Sequence, residues 1–218
     1  MSKFSATTAF AMLAAFFALQ PTAGKAAVVE GFAYLNNPAS SDAVIGFAHS
    51  SPDVTFTVPS PVNPACTGSL SGDTLCFNSD TSAYTVGAFL TGGGATILTG
   101  SPAALGATLD NTVLEFTGSV SVTNGETFTV GHDDGLQLKI GSDLVIDSPL
   151  ETAFVNTTET YTGPSGTLPF DLVYGECCDA PADLAISLPL VSSVPEPISL
   201  ALLGTGLIGL AAARRRYN

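Results

Sequence analysis

The chain has no tryptophan and few basic side chains, and both shortages exclude classes of function. Six lysine and arginine residues stand against 19 aspartate and glutamate residues, which gives a net charge of -13. Lys139 is the one basic residue between Ala27 and Val194. So acidic a surface repels nucleic acid and anionic membranes, and it suits divalent cations or solvation outside the cell. Nucleic-acid binding and a tryptophan-based binding face are therefore excluded.

Motifs of the common catalytic sites are also missing. The sequence has no Gly-x-Ser-x-Gly elbow, no His-Glu-x-x-His pair and no phosphate-binding glycine loop. His49 and His132 lie far from any cysteine pair, so no Cys–His metal spacing exists. Both histidines are interpreted as packed or exposed residues. Carboxylates are so numerous that a pair of them does not indicate a glycosidase. We expect no catalytic residues and a protein that is not an enzyme.

The N-terminal residues have the pattern of a secretory signal peptide. Lys3 precedes an apolar run over residues 9–19, and small residues follow Pro21. The run is too short for a retained membrane anchor. The sequence therefore predicts a signal peptide over residues 1–26, with cleavage after Ala26, and an exported protein.

Four cysteines follow the predicted signal peptide: Cys66, Cys76, Cys177 and Cys178. Export makes disulfides the expected state, and four cysteines allow three pairings. A Cys66–Cys76 bond would close a short loop and leave Cys177–Cys178 as a vicinal bond. Cross-pairing would instead join the two halves of the domain. The sequence leaves these alternatives open.

The C-terminal residues form a tripartite ending. Pro195-Glu196-Pro197 precedes an apolar run over residues 198–213, and Arg214-Arg215-Arg216 follows. The run is a little short of the roughly 20 residues that span a bilayer comfortably, and its glycines are tolerated in membrane helices. The basic cluster would stay on the cytoplasmic side and leave the preceding domain outside. We therefore predict a C-terminal transmembrane helix.

This ending resembles the PEP-CTERM sorting signal, with Pro195, Glu196 and Pro197 as its name-giving motif. The resemblance assigns residues 194–218 to a sorting and anchor tail. It implies processing by an exosortase in the inner membrane. It also implies transfer of the mature protein to the cell surface or to an exopolysaccharide matrix.

Residues 27–193 show the alternation of β-strands. Apolar and polar residues alternate with a period of two over several segments separated by turn signals, namely residues 54–58, 127–130, 136–140 and 170–174. No long window outside the two ends has helical periodicity. Short strands at this spacing predict an all-β, two-sheet β-sandwich, flanked by the N-terminal signal helix and the C-terminal transmembrane helix.

Residues 112–190 contain a more specific order of motifs. A strand leads into Asp133-Asp134-Gly135, a second strand with a small turn follows, and a late strand ends in Tyr174-Gly175-Glu176. This order is similar to the PA14 family of β-sandwich domains. The resemblance identifies this segment as the PA14-like part of the domain.

In sugar-binding PA14 domains, two adjacent aspartates hold a calcium ion that in turn holds sugar hydroxyls. The resemblance assigns these roles to Asp133 and Asp134, with Asp179 of a second loop as a further metal ligand. Two cysteines precede Asp179 where the family's loop often uses an asparagine. Clustered carboxylates suit calcium, which takes six to eight oxygen ligands. The alternative is that Asp133-Asp134-Gly135 forms only a hairpin turn, because Asp-Gly favours turns by itself.

Three functions follow from these patterns. The leading hypothesis is a surface protein associated with exopolysaccharide or biofilm that binds carbohydrate through Ca²⁺. The second is an acidic structural protein of the matrix without a defined ligand. The third is an extracellular carbohydrate-active enzyme, which the missing catalytic motifs make the weakest of the three.

Overall fold

The computed structural model describes residues 27–59, 75–79, 84–178 and 180–191. The predicted signal peptide, Cys66, Asp179, the sorting motif Pro195-Glu196-Pro197 and the predicted transmembrane helix lie outside these residues. Within them, none of the helices has both the length and the apolar character needed to cross a bilayer.

The described residues form two antiparallel sheets. In chain order the strands are β1 (Val28–Tyr34), β2 (Val54–Pro59), β3 (Leu75–Ser79), β4 (Thr96–Gly100), β5 (Thr112–Val122), β6 (Thr127–Asp133), β7 (Leu136–Ile140), β8 (Asp143–Ser148), β9 (Val155–Thr160), β10 (Gly166–Glu176) and β11 (Ala182–Ile186). The larger sheet has the order β4-β2-β1-β5-β10-β7-β8, and the smaller has the order β3-β11-β6-β9. The predicted two-sheet β-sandwich is confirmed.

Several strands, β2 among them, contribute alternate side chains to the core between the sheets. On β2, Val54, Phe56 and Val58 are buried while the residues between them are partly exposed. On β6, Phe128 and Val130 join the same core from the smaller sheet. The period-two pattern of the sequence therefore corresponds to burial of one face of each sheet.

The two longest strands, β5 and β10, lie side by side in the middle of the larger sheet. They pair over 11 residues each, from Gly166 opposite Val122 to Glu176 opposite Thr112. β1 from the N-terminal half pairs with β5, and β3 pairs with β11. Residues 27–110 thus contribute strands to both sheets of the sandwich.

The N-terminal half also contains short helices that the sequence analysis did not predict. These are α1 (Val86–Gly92), α2 (Pro102–Gly106) and a 3₁₀ turn over Pro38–Ser41. The Thr85 hydroxyl caps α1 by accepting from the Ala88 N–H at 3.2 Å, and Ser101 caps α2 in the same way. Helices this short are held by their caps and by packing, so they leave too little periodicity to detect.

The Asp133-Asp134-Gly135 segment is a corner between the two sheets. β6 belongs to the smaller sheet and β7 to the larger one, so the chain crosses from one layer to the other at Asp134 and Gly135. The hairpin alternative is therefore wrong. A Cβ on Gly135 would overlap the carbonyl oxygen of Pro149, so this corner requires glycine.

Candidate functional site

Asp133 and Asp134 lie side by side where β6 ends. Each is 7% exposed, and the peptide bond between them is cis. Their side chains line a cavity of about 440 Å³ together with residues of the β8–β9 and β10–β11 loops, namely Glu151, Thr152, Ala153, Cys178, Ala180 and Pro181. Three segments that are distant in the sequence therefore meet at one open site.

The carboxylate of Asp134 is held by two backbone donors. The Thr152 N–H donates to Oδ1 at 3.1 Å, and the Cys177 N–H donates to Oδ2 at 3.0 Å. The two donors come from the two loops that flank the corner. This carboxylate therefore has one orientation, and each oxygen keeps a second lone pair for a further partner.

Asp133 is held through its backbone, and the β8–β9 loop acts on its carboxylate. The backbone N–H of Phe154 acts to lower the pKa of this carboxyl against the effect of burial. The Tyr174 hydroxyl, from β10 in the larger sheet, donates to its backbone carbonyl. The corner is thus tied to both sheets of the sandwich.

His132 supports the corner from inside the protein. It is fully buried, with Nδ1 at 2.5 Å from the Asp134 carbonyl oxygen and Nε2 at 2.8 Å from the Thr157 hydroxyl. A carbonyl oxygen only accepts, so Nδ1 carries the proton and Nε2 accepts from Thr157. Burial lowers the pKa of His132, in agreement with a neutral ring. His132 positions the aspartates and has no ring nitrogen left for another partner.

A vicinal disulfide borders the cavity. Cys177 and Cys178 are bonded, with their Cα atoms 3.7 Å apart, and Cys76 is also disulfide-bonded. The cross-pairing considered from the sequence is therefore wrong. Glu151 Oε2 lies 3.3 and 3.2 Å from the two sulfurs. Disulfide sulfurs carry no hydrogen and are not thiolates, so Glu151 and this pair make van der Waals contact and form no thiolate metal site.

A buried carboxyl lies directly beneath the corner. Glu176, at the end of β10, is fully buried, and the hydroxyls of Tyr84 and Tyr174 lie 2.9 and 2.6 Å from its two oxygens. Burial is the main cause that raises the pKa of Glu176 to about 9, and repulsion from Asp134 and Asp133 adds to it. Glu176 is therefore a neutral acid at neutral pH and adds no charge beneath the site.

The two aspartates have no cationic side chain beside them among the described residues. Burial raises the pKa of both, and each also feels a neighbouring carboxylate: Asp134 acts on Asp133, and Glu151 acts on Asp134. Lys139, the one lysine in the described part, instead lies opposite Asp171 across β7 and β10. The site therefore concentrates negative charge that no residue around it compensates.

These donors are of the kind that suits calcium, the metal predicted from the sequence. Calcium prefers carboxylate oxygens, and Asp133 and Asp134 present theirs to an open cavity, with the orientation of Asp134 fixed by two backbone N–H groups. Glu151 lines the same cavity and offers a further oxygen. Buried like charges of this kind are stabilised most simply by a bound cation.

The structure brings together part of what the sequence predicted. Asp133 and Asp134 line one cavity and their role as metal ligands stays a prediction, whereas Asp179 lies outside the described residues. Sequence reasoning missed Glu151 and the backbone donors of its loop. Nothing in the spacing indicates Glu151, because it follows Asp134 only after two intervening strands.

Comparison with known proteins agrees with both resemblances found in the sequence. Residues 193–216 match the PEP-CTERM protein-sorting motif. The fold is similar to that of the PA14 sugar-binding domain from an RTX adhesin, with 20% identity, a TM-score of 0.50, and coverage of 75% of this chain and 90% of that one. The PA14 domain of the MpAFP antifreeze protein has 17% identity and a TM-score of 0.46, with coverage of 82% of this chain and 88% of that one. No curated protein sequence matches the chain.

The order of strands, the Asp-Asp-Gly corner and the Tyr-Gly-Glu end of β10 occur within a sandwich that resembles the adhesin domain. The tail motif follows that sandwich in the sequence. The chain therefore carries a β-sandwich domain of the PA14 fold followed by a PEP-CTERM sorting motif.

Proposed function

We propose that this protein is exported, is presented at the cell surface or in the extracellular matrix, and binds carbohydrate through a Ca²⁺ ion held by Asp133 and Asp134. Glu151 and, from the sequence, Asp179 are further candidate ligands of the ion. The bound saccharide belongs to an exopolysaccharide or biofilm matrix.

The sorting motif supports the location. A PEP-CTERM motif at residues 193–216 is the kind of signal that an exosortase processes at the inner membrane. The apolar run over residues 198–213 and the three arginines after it would anchor the chain in that membrane before processing. The low number of basic residues suits a soluble domain outside the cell.

The observation that carries the binding proposal is the pair of carboxylates at the open corner, beside which the described residues place no cationic side chain. Asp134 is fixed by two backbone N–H groups, and both carboxylates line a cavity with room for an ion and part of a ligand. The similar adhesin domain is described as sugar-binding, which agrees with this role. When bound, calcium would supply the positive charge that sugar hydroxyls coordinate.

We also propose that the site binds its ligand and does not transform it. His132 has both ring nitrogens engaged inside the protein, so it is not available as a general base. Glu176 is a buried acid whose two oxygens face tyrosine hydroxyls. Neither group reaches a ligand in the cavity.

Calcium titration of the purified protein tests the ion site. Asp133→Asn keeps the shape of the side chain and removes its charge, so we expect its calcium affinity to fall by more than about 100-fold relative to wild type. Wild type should also gain about 2.7 kcal/mol of unfolding free energy at a calcium concentration 100 times its Kd. Isothermal calorimetry and thermal melting measure the two effects.

Glu159→Gln is the matched control, because it removes one carboxylate from the exposed face of β9. It should bind calcium as wild type does. Equal affinities for wild type and Asp133→Asn would contradict the ion site. Glycan arrays with and without a chelator then test the sugar step: binding that persists in the chelator would contradict a role for calcium.

A further inference from the structure

Phe154 is a large apolar side chain exposed beside the candidate ion site. Its exposed fraction is 48%, and it follows directly after the loop residues that line the cavity. Its backbone N–H acts to lower the pKa of the Asp133 carboxyl. An exposed aromatic ring so close to a polar site has a cost in water that a bound ligand would offset.

The ring lies on the same face of the smaller sheet as Asp133. Along β6, Phe128, Val130 and His132 point into the core, so Gly131 and Asp133 share the outward face. The edge of the Phe154 ring packs on Gly131: a Cβ placed there would lie 3.0 Å from Cζ and 3.2 Å from Cε2. A side chain at position 131 would therefore push the ring outward by a few tenths of an ångström.

This arrangement sets the distance between the ring and the ion position. Gly131 and Asp133 are two residues apart on a strand, which separates them by roughly 7 Å along the outward face. One monosaccharide ring spans this distance. A saccharide whose hydroxyls bind an ion at Asp133 would therefore lie with its neighbouring C–H groups against Phe154.

We propose that Phe154 is a specificity-determining residue of the carbohydrate site, which stacks against the apolar C–H face of a pyranose ring. This inference rests on the proposed function. It adds which pyranoses the Phe154 ring favours. Stacking favours pyranoses with several axial C–H groups on one face. It disfavours those with an axial hydroxyl on that face, because the hydroxyl would be desolvated without a partner.

The test compares Phe154→Ala, Phe154→Leu and Phe154→Tyr with wild type. Each variant changes only an exposed side chain and removes no carboxylate of the candidate ion site, so calcium affinity and melting temperature should stay at the wild-type values. Affinity for free glucose, galactose, mannose and fucose is measured by calorimetry in saturating calcium.

Burial of about 50 Å² of the Phe154 ring surface by the saccharide is worth roughly tenfold in Kd. We therefore expect Phe154→Ala to lose about tenfold, Phe154→Leu to lose part of this, and Phe154→Tyr to keep wild-type affinity.

A second readout comes from the ring itself. In wild type the NMR signals of the Phe154 ring protons should shift when the saccharide is added to the calcium-loaded protein, and they should not shift with calcium alone. Leu150→Ala is the matched control, because Leu150 is a 65% exposed apolar side chain on the same loop, four residues before Phe154. It should bind both calcium and saccharide as wild type does.

The outcomes separate this inference from the function on which it rests. Saccharide binding that is equal in wild type and Phe154→Ala would overturn the stacking role and leave the proposed function intact. A wild type that binds calcium but none of the saccharides would overturn both. Self-association in wild type that Phe154→Ala abolishes, with saccharide affinity unchanged, would assign the ring to a contact between copies.

Discussion

Glu176 is the residue whose protonation state the geometry constrains most. The Tyr84 hydroxyl contacts Asp110 Oδ1 at 2.8 Å and Glu176 Oε1, while the Tyr174 hydroxyl contacts Glu176 Oε2 and the Asp133 carbonyl. Each of these four oxygen–oxygen contacts needs one hydrogen to be a hydrogen bond, and carboxylates and carbonyls only accept. The two tyrosine hydroxyls supply only two hydrogens. A proton on Glu176 donates to one tyrosine and frees that hydroxyl to donate onward. The hydrogen-bond count and the raised pKa thus favour the same neutral acid.

This proton makes the stability of the protein depend on pH. The pKa of Glu176 is about 9 in the folded protein and near its ordinary value in the unfolded chain. Between these values the folded state holds a proton that the unfolded state has lost, so the unfolding free energy falls as pH rises from about 5 to 9 and levels off above. The total effect is on the order of 5 kcal/mol. Urea denaturation across this pH range measures it.

Glu176→Gln supplies the comparison, because glutamine resembles the neutral acid and cannot ionise. Its unfolding free energy should vary much less between pH 5 and 9 than that of wild type. Glu159→Gln removes a charge from the exposed β9 and should keep the wild-type slope. If wild type and Glu176→Gln give parallel curves, Glu176 is ionised in the folded protein and the hydrogen-bond assignment fails.

At the scale of elements, two loops hold the corner in place. The β8–β9 loop contributes the N–H group of Thr152, and the β10–β11 loop contributes that of Cys177. The orientation of Asp134 therefore depends on the conformation of both loops. The vicinal disulfide restricts the second loop at the residue that donates to Asp134.

Removal of this disulfide should weaken the ion site without unfolding the sandwich. In Cys177→Ser/Cys178→Ser the Cys177 N–H position gains freedom, so orienting Asp134 costs more entropy on binding. We expect calcium affinity to fall roughly tenfold, as it does when groups that orient a metal ligand are lost. Calorimetry measures this, with Cys76→Ser as the control, because it removes the disulfide on β3. Unchanged affinity in the Cys177/Cys178 variant would show that the loop is rigid without the bond.

The sequence predicted the strands more completely than it predicted the candidate site at the Asp133–Asp134 corner. β7 begins and ends where the alternation of residues 136–140 placed it, because a half-buried strand is encoded locally. The crossing at Asp134 was not predictable, since alternation does not say which sheet a strand joins. Glu151 and Tyr84 reach the corner only through long-range packing, so no spacing in the sequence indicates them. α1 and α2 were missed because caps, and not periodicity, define them.

Across the whole molecule, the proposed location and the proposed binding depend on separate parts of the chain. The proposed carbohydrate site lies at loops of the sandwich, whereas the sorting motif occupies residues 193–216. Changes in one part should therefore leave the other unaffected. This independence allows the two halves of the proposed function to be tested separately in cells.

Replacement of Pro195, Glu196 and Pro197 by alanine tests the sorting half. The two prolines favour extended backbone just before the apolar run, and the carboxylate of Glu196 gives the motif its charge. Alanines at these positions favour helix and remove the charge, so an exosortase should no longer recognise the tail. We expect the precursor to accumulate in the inner membrane and the surface protein to fall to background, as measured by cell fractionation and immunoblotting.

Asp133→Asn is the control and should reach the surface in wild-type amounts, because the substitution lies in the proposed binding site. If the triple variant instead reaches the surface with the same amount and mass as wild type, the tail acts as an ordinary anchor and the protein reaches its location without exosortase processing.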